Sequence, residues 1–373
     1  MIRLVFISTL AYNNFFPGKV KQAGGHTILY NLAKEFALLP EYDVFIITGD
    51  FGQDDYVKKE GVTLVKAPID NPLALINVSL KIKRLKPDVL VDLCASPRLF
   101  LYYLLKKSIG LKYVFLTGSD NDVNGEYKKT ENHLFYYFYI AGLKKADRVV
   151  SQVPHHKDLL LKRYTINSDL ILSPYLKIKK AEKPSASIIL WVGRAAHYKR
   201  PELFIQLAEC FPLEKFVMIC NKSSYDNGFM ERINNGGNLP DNVDFHEYVP
   251  YPEMDSFYKN ARFLVNTSDF EGFAVTFIEA AVSQTPILSL NSNPNNMLSE
   301  HEGGYVCNGY IEKLHERCQY MIQNSEETIK TGQKAFDYAF KYHDITSAVN
   351  QFDRIFKSIV KIKNDNVPTI MSS

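Results

Sequence analysis

Tryptophan is almost missing from this chain: Trp191 is the single copy in 373 residues. Cysteine is scarce, with five copies at Cys94, Cys210, Cys220, Cys307 and Cys318 and no Cys-x-x-Cys pair. Most lie in apolar runs, so they read as buried, reduced thiols of a cytosolic protein. No stretch reaches the ~18 apolar residues that a membrane span needs. The opening Met1-Ile2-Arg3-Leu4-Val5-Phe6-Ile7-Ser8 reads as a strand, because no small-residue cleavage site of a signal peptide follows it. Gly-x-Gly-x-x-Gly is absent after that strand, where Thr9-Leu10-Ala11-Tyr12-Asn13-Asn14 stands instead. That excludes a dinucleotide-binding dehydrogenase. A strong charge is also lacking, at a formal +3, and no nucleic-acid partner is expected.

What the chain has is alternation. Apolar residues make up 46%, enough for the cores of two domains. Strands are expected at 2–8, 43–48, 62–67, 88–94, 113–117, 148–153 and 169–173, with helices at 72–85, 97–108, 128–145 and 155–164 between them. Residues 174–186 are polar with a proline near each end and read as a linker. Further strands are expected at 188–192, 216–220, 243–247, 262–267 and 286–290, and only helices beyond. Such alternation predicts an α/β chain with doubly wound parallel sheets.

The stretch Ser268-Asp269-Phe270-Glu271-Gly272-Phe273-Ala274-Val275-Thr276-Phe277-Ile278-Glu279 follows one strand and precedes another. It is a strand-to-helix turn, the kind of place where open parallel sheets bind ligands. Gly272 removes a side chain where backbone comes close to something. The amides of Phe273 and Ala274 open a helix, where free N–H groups bind phosphate or sugar oxygens. Glu279 lies further in, roughly 8–12 Å from Glu271 at ~1.5 Å per residue. It sits among Ile278, Ala280 and Ala281, where a charge is costly unless paired. Taken singly, either glutamate reads as solvated; the pair, the glycine and the placement read as a site.

A second motif follows the strand at 188–192: Gly193-Arg194-Ala195-Ala196-His197-Tyr198-Lys199-Arg200-Pro201-Glu202. Arg194 offers a planar fork for phosphate oxygens and Lys199 a compact charge. His197 and His246 have no metal-ligand spacing and read as structural.

These two motifs resemble retaining glycosyltransferases of the GT-B fold, most of all the large family-four group (glycosyl transferases group 1). Glu271-Gly272-Phe273 with Glu279-Ala280 has that family's Glu-x7-Glu spacing, and Gly-Arg-x4-Lys-x-Pro-Glu matches its diphosphate-binding segment. The resemblance is strongest over 188–283 and weaker over 1–150. It implies two facing Rossmann-like domains with a deep interdomain cleft. Residues 1–175 would bind the acceptor, 176–345 the nucleotide sugar, and a helix over 346–363 would cross back to the first domain.

It implies roles as well. Glu271, with Gly272, Phe273 and Ala274, would hold the donor sugar, and Glu279 the nucleotide ribose. Arg194 and Lys199 would stabilise the departing diphosphate, aided by the amides of Gly24 and Gly25. Alone, Gly24-Gly25 reads equally as a tight turn. The segment Tyr248-Val249-Pro250 resembles the one whose backbone contacts the base, so Val249 is a donor-binding candidate. The implied partners are a UDP- or GDP-linked sugar and an acceptor glycan or lipid-linked sugar. No cofactor and no metal is called for, since two cations already face the phosphates.

The chain departs from the family in two places. No His lies between Lys112 and His133, where family members often place one near the donor sugar. Asp120, in Gly118-Ser119-Asp120-Asn121-Asp122, is the candidate to contact a sugar hydroxyl or the acceptor; a turn aspartate is the competing reading. After 286–290 stands Asn291-Ser292-Asn293-Pro294-Asn295-Asn296 instead of the family's glycines and acid. A non-catalytic binding subunit, or a phosphorylase or epimerase on the same fold, are the alternatives.

Charge is uneven. Residues 1–175 carry 23 Lys and Arg against 17 Asp and Glu, while the remainder carries 21 against 24. A basic first half suits an anionic acceptor or peripheral contact with the inner membrane face of a cytoplasmic enzyme, and ordinary solvated lysine competes with that reading. The lysines at 81–86 with Lys106, Lys107 and Lys112 are the candidate surface, and the aromatic run 133–145 reads as a core helix with a charged end.

Overall fold

The computed structural model describes residues 1–16, 24–67, 74–130, 132–175, 178–180, 182–183, 185–223, 225–234, 239–271 and 275–360. The expectations for Gly272, Phe273 and Ala274 lie outside these. The chain divides into two compact units: Met1–Pro174 together with the chain from Ile345, and Tyr175–Asp344.

The first unit holds β1 (Ile2–Ile7), β2 (Tyr42–Thr48), β3 (Tyr56–Lys59), β4 (Val62–Lys66), β5 (Val89–Leu93), β6 (Lys112–Leu116), β7 (Arg148–Ser151) and β8 (Asp169–Leu170). Their order across the sheet is β3-β4-β2-β1-β5-β6-β7-β8, and only the β3–β4 pair is antiparallel. Runs such as Val89-Leu90-Val91-Asp92-Leu93 are buried throughout, because helices cover both faces of a parallel sheet. The helices Gly24–Ala37 and Ile345–Ile359 share a core on one face. The helices Ala74–Leu85, Arg98–Ile109, His133–Leu143 and Pro154–Tyr164 share the core on the other.

The second unit holds β9 (Ile188–Arg194), β10 (Lys215–Asn221), β11 (Val243–His246), β12 (Ala261–Asn266), β13 (Ile287–Ser289) and β14 (Gly304–Val306). All are parallel, in the order β11-β10-β9-β12-β13-β14. Counted within the unit this is 3-2-1-4-5-6, the Rossmann order, which reverses between β9 and β12. In the first unit the reversal lies between β1 and β5.

Several expectations need correction. β14 interrupts the region read as purely helical; its three residues are too few to show a period. Cys94 and Cys210 are exposed, while Cys220, Cys307 and Cys318 are buried and all five are free thiols. The helix expected at 128–145 is two, Tyr127–Thr130 and His133–Leu143, the second capped by the Asn132 side chain accepting from the Leu134 amide at 2.9 Å. That second helix buries Tyr139 and Leu143 in the core, as expected, but leaves Leu134, Phe135 and Tyr137 exposed. Among the described residues no helix is long and apolar enough to cross a membrane.

Candidate active site

The carboxyl ends of β9 and β12, at the switch point of the second sheet, carry most of the candidates. Arg194 is the last residue of β9. Lys199 closes the short 3-10 turn His197–Lys199, and Arg200, at φ +47°, leads into the helix Pro201–Glu209 with Pro201 in its first turn. Buried bonds tie this loop to the end of β12. The Trp191 indole N–H donates to Thr267 Oγ1 at 2.9 Å, and the Thr267 hydroxyl donates to the Lys199 carbonyl at 2.7 Å. The Asp269 amide donates to the Tyr198 carbonyl at 2.8 Å, and the Tyr198 and Phe270 rings stack at 5.0 Å. Gly193 is required here, because a Cβ on it would fall 2.7 Å from the Trp191 ring.

This frame brings Lys199 and Glu271 together. Lys199 Nζ donates to both carboxylate oxygens of Glu271, at 2.5 and 2.6 Å. Glu271 Oε1 also accepts from Asn266 Nδ2 at 3.0 Å and Ser268 Oγ at 2.7 Å. The two side chains are only 17% and 10% exposed, so the pair is largely withdrawn from water. Arg194 differs: it is exposed, its guanidinium touches the Tyr198 hydroxyl at 3.3 Å, and it has no acidic partner among the described residues. One cation of the motif is held and the other is open to an anion.

Glu279 is the fifth residue of the helix Val275–Val282. The Tyr258 hydroxyl, from the helix Tyr251–Asn260, donates to its Oε2 at 2.7 Å. Burial pushes the Glu279 carboxyl up to about 7, against the opposing effect of the Tyr258 bond. Val249 turns its side chain into the core beside Met254 and Tyr258, so only its backbone could meet a ligand. Asn291, from the asparagine-rich segment, donates to the Asp269 carbonyl at 2.5 Å and so braces the turn that carries Glu271.

The first unit carries Asp120, Gly24 and Gly25. The Gly24–Ala37 helix begins at the glycine pair, and His26 in its first turn shares a 2.8 Å bond with Ser8 at the end of β1. Asp120 follows β6. Its neighbour Asp122 is buried and accepts from the amides of Gly118, Ser119 and Ala95 at 2.6, 3.0 and 2.9 Å, stapling the loops after β5 and β6. The two acids of Asp-x-Asp therefore have separate duties, Asp122 as staple and Asp120 as the exposed group.

Asp120 Oδ1 meets His156 Nε2 at 2.9 Å, and His156 Nδ1 meets Thr117 Oγ1 at 2.8 Å. The ionised Asp120 carboxylate can only accept, which puts the imidazole proton on Nε2 and leaves Nδ1 to accept from the Thr117 hydroxyl, whose oxygen also takes the Gln152 amide at 3.3 Å. His156 is buried and Asp120 half exposed. The hydrogen bond from His156 holds the Asp120 carboxyl below its usual range, so it stays an acceptor. A histidine thus does stand beside Asp120, supplied from the helix Pro154–Tyr164 rather than from 112–133.

Residues 175–338 match the model of the family described as glycosyl transferases group 1. Over that span the chain is similar to this family. The group 1 match falls within the second unit, where Arg194, Lys199, Glu271 and Glu279 all lie. The poly(ribitol-phosphate) α-N-acetylglucosaminyltransferase of Staphylococcus aureus is 22% identical over 246 residues, 64% of this chain and 48% of that protein. The chain spans about half the length of the curated relatives it matches. Sucrose-phosphate synthase from Thermosynechococcus elongatus superposes with a TM-score of 0.76 at 15% identity, covering 96% of this chain and 99% of that one. S. aureus TarM, solved with fondaparinux, α-GlcNAc-glycerol and UDP, gives 0.72 at 14% identity over 95% and 100%. These likenesses show the GT-B fold.

Sequence reasoning missed Asn266, Ser268, Tyr258 and His156. Asn266 and Ser268 abut the group 1 motif and were in reach of it. Tyr258 and His156 come from other helices, 21 and 36 positions from their partners, with no local signal. Among the described residues no group of three or more His, Cys, Asp or Glu is arranged to hold a metal ion.

Proposed function

We propose that this chain is a retaining glycosyltransferase that moves a sugar from a UDP- or GDP-linked donor to an acceptor hydroxyl in polysaccharide or glycolipid assembly. The observation that carries the reading is the Lys199–Glu271 pair at the switch point, inside the segment matched by the group 1 family. Exposed Arg194 takes the leaving diphosphate as its charge develops, where a positioned cation lowers the barrier most. Lys199, released in part from Glu271 by the incoming phosphates, supplies the second charge. Glu271, still held by Asn266 and Ser268, orients the sugar through its hydroxyls. Glu279 accepts from the ribose, and the backbone at Val249 meets the base. Gly272, Phe273, Ala274, Gly24 and Gly25 are proposed to supply amides. Asp120, aimed by His156, accepts from a sugar hydroxyl of donor or acceptor through Oδ2.

A donor screen tests this. Purified protein is offered UDP-, GDP- and ADP-sugars with candidate acceptors, and nucleotide release is followed with and without EDTA. Release that survives EDTA and drops at least a hundredfold in Arg194→Ala is expected. Release abolished by EDTA would overturn the metal-free part of the reading, and tight nucleotide binding without turnover would favour a binding subunit.

A further inference from the structure

Three neighbouring helices of the first unit, Ala74–Leu85, Arg98–Ile109 and His133–Leu143, hold five Lys or Arg besides Arg98, which is largely buried against Asp92, and not one Asp or Glu. A solvated helical surface ordinarily mixes both signs. Where their lysines do form ion pairs, the acids come from elsewhere: Asp55 for Lys81, and Asp147 for Lys106. Lys83, Arg84, Lys144 and Lys145 are exposed and make no ion pair among the described residues. Lys107, also exposed, lies over the Tyr103 ring at 4.7 Å.

The same surface is apolar. Ile76, Leu80, Leu104, Ile109, Leu134, Phe135 and Tyr137 are all exposed, Tyr137 by 63%. Ile76, Leu80 and Arg84 are four apart and form a stripe that starts apolar and ends cationic; the third helix likewise opens with Leu134, Phe135 and Tyr137 and is followed at its end by Lys144 and Lys145. The three helices link successive parallel strands, β4 to β7, and therefore run in one direction. On the first and third helices the apolar ends thus lie at the carboxyl edge of the sheet, the edge that carries Asp120, and the cations at the opposite edge.

We propose that this three-helix face docks on the surface of an anionic bilayer. A polyanion alone would satisfy the lysines but would leave Leu134, Phe135 and Tyr137 in water. A bilayer takes both, with aromatic and aliphatic side chains at the headgroup boundary and cations against the phosphates. The face deepens the proposed function, since it would hold the Asp120 edge near a lipid-linked acceptor. Its own binding does not depend on that reading.

Co-sedimentation of the full chain with vesicles tests it, comparing phosphatidylcholine alone with a mixture containing about a third phosphatidylglycerol. Binding at least tenfold tighter to the anionic vesicles is expected, and reversed by high salt. Each exposed lysine near the surface contributes roughly a fivefold gain. The variant Lys83→Glu/Lys107→Glu/Lys144→Glu/Lys145→Glu should lose the anionic preference. Phe135→Ser/Tyr137→Ser should keep the salt dependence but bind about tenfold more weakly. Both should unfold at the wild-type temperature and bind nucleotide as before, which separates loss of the face from loss of fold. Equal binding to both vesicles, no binding, or variants that bind like wild type would overturn the proposal. So would a wild-type dimer dispersed by Phe135→Ser, which would make a second copy the occupant. Vesicle binding without sugar transfer would leave the face standing and remove the transferase reading; transfer without vesicle binding would do the reverse.

Discussion

Glu279 sits where a carboxylate is expensive, and pH is the means to expose its role. Its folded-state value of about 7 lies above the ordinary 4.5. The group therefore favours the native state fully below the lower value, and that contribution fades as pH rises towards the upper one. Glu279→Gln should remove this slope, so that unfolding temperatures of variant and wild type converge in acid and diverge in favour of the variant near pH 8. An ionised Glu279 is the better ribose acceptor, so calorimetry should show nucleotide binding strengthening up to about tenfold between about pH 6 and 8, and a flat profile in the variant. Lys199 and Glu271 call for a different test. Removing one member strands a buried charge at a cost of about 3–5 kcal/mol. Lys199→Met should thus unfold well below wild type, while Lys199→Met/Glu271→Gln should recover most of the stability and none of the transfer. At Asp120, His156→Gln still offers a donor and should keep turnover within about fivefold, whereas His156→Leu should lose about tenfold to a hundredfold in kcat with nucleotide affinity unchanged. A purely structural His156 would move both together. Glu271, Lys199 and Arg194 were legible because their spacing is local. His156 was not, because only the fold brings it to Asp120.

Among the elements, long buried strands such as β9 and β10 announce themselves as continuous apolar runs, and their bounds agree with expectation to within about two residues. β3 and β14 do not. β3 is a four-residue edge strand mostly exposed, with Lys58 and Lys59 discouraging further pairing. β14 begins at Gly304, whose missing side chain matters more than any pattern, since a Cβ there would lie 1.9 Å from the Ile287 carbonyl oxygen. The helix pair Arg98–Ile109 and His133–Leu143 depends on a glycine in the same way. A Cβ on Gly142 would fall 2.3 Å from the backbone carbon of Leu99, and neither backbone can yield cheaply. Gly142→Ala should destabilise by about 1–3 kcal/mol, read from chemical denaturation. A neutral outcome would mean that the two helices are not in close contact. The exposed face of His133–Leu143 was not foreseen for a plain reason: an all-round apolar helix normally reports a core, and only its other face, with Tyr139 and Leu143, lies in one.

At the scale of the molecule, the chain leaves its first unit at Pro174 and returns to it at Ile345. The returning helix buries Ile345, Val349, Phe352 and Phe356 in the first core, and Tyr42 donates to Asp353 at 2.6 Å. Burial of those four side chains is worth on the order of 5 kcal/mol or more. Truncation before Ile345 should therefore lower the unfolding transition of the first unit and leave that of the second in place, as differential scanning calorimetry would show. The parallel, doubly wound character of both sheets follows from the alternation of elements, but their strand order comes from the fold alone, and the duties of the two units in transfer rest on the proposed chemistry. The most direct test of that chemistry is the stereochemistry of the product. Proton NMR of the newly formed glycosidic bond should show the anomeric configuration of the donor sugar; an inverted bond would contradict the account.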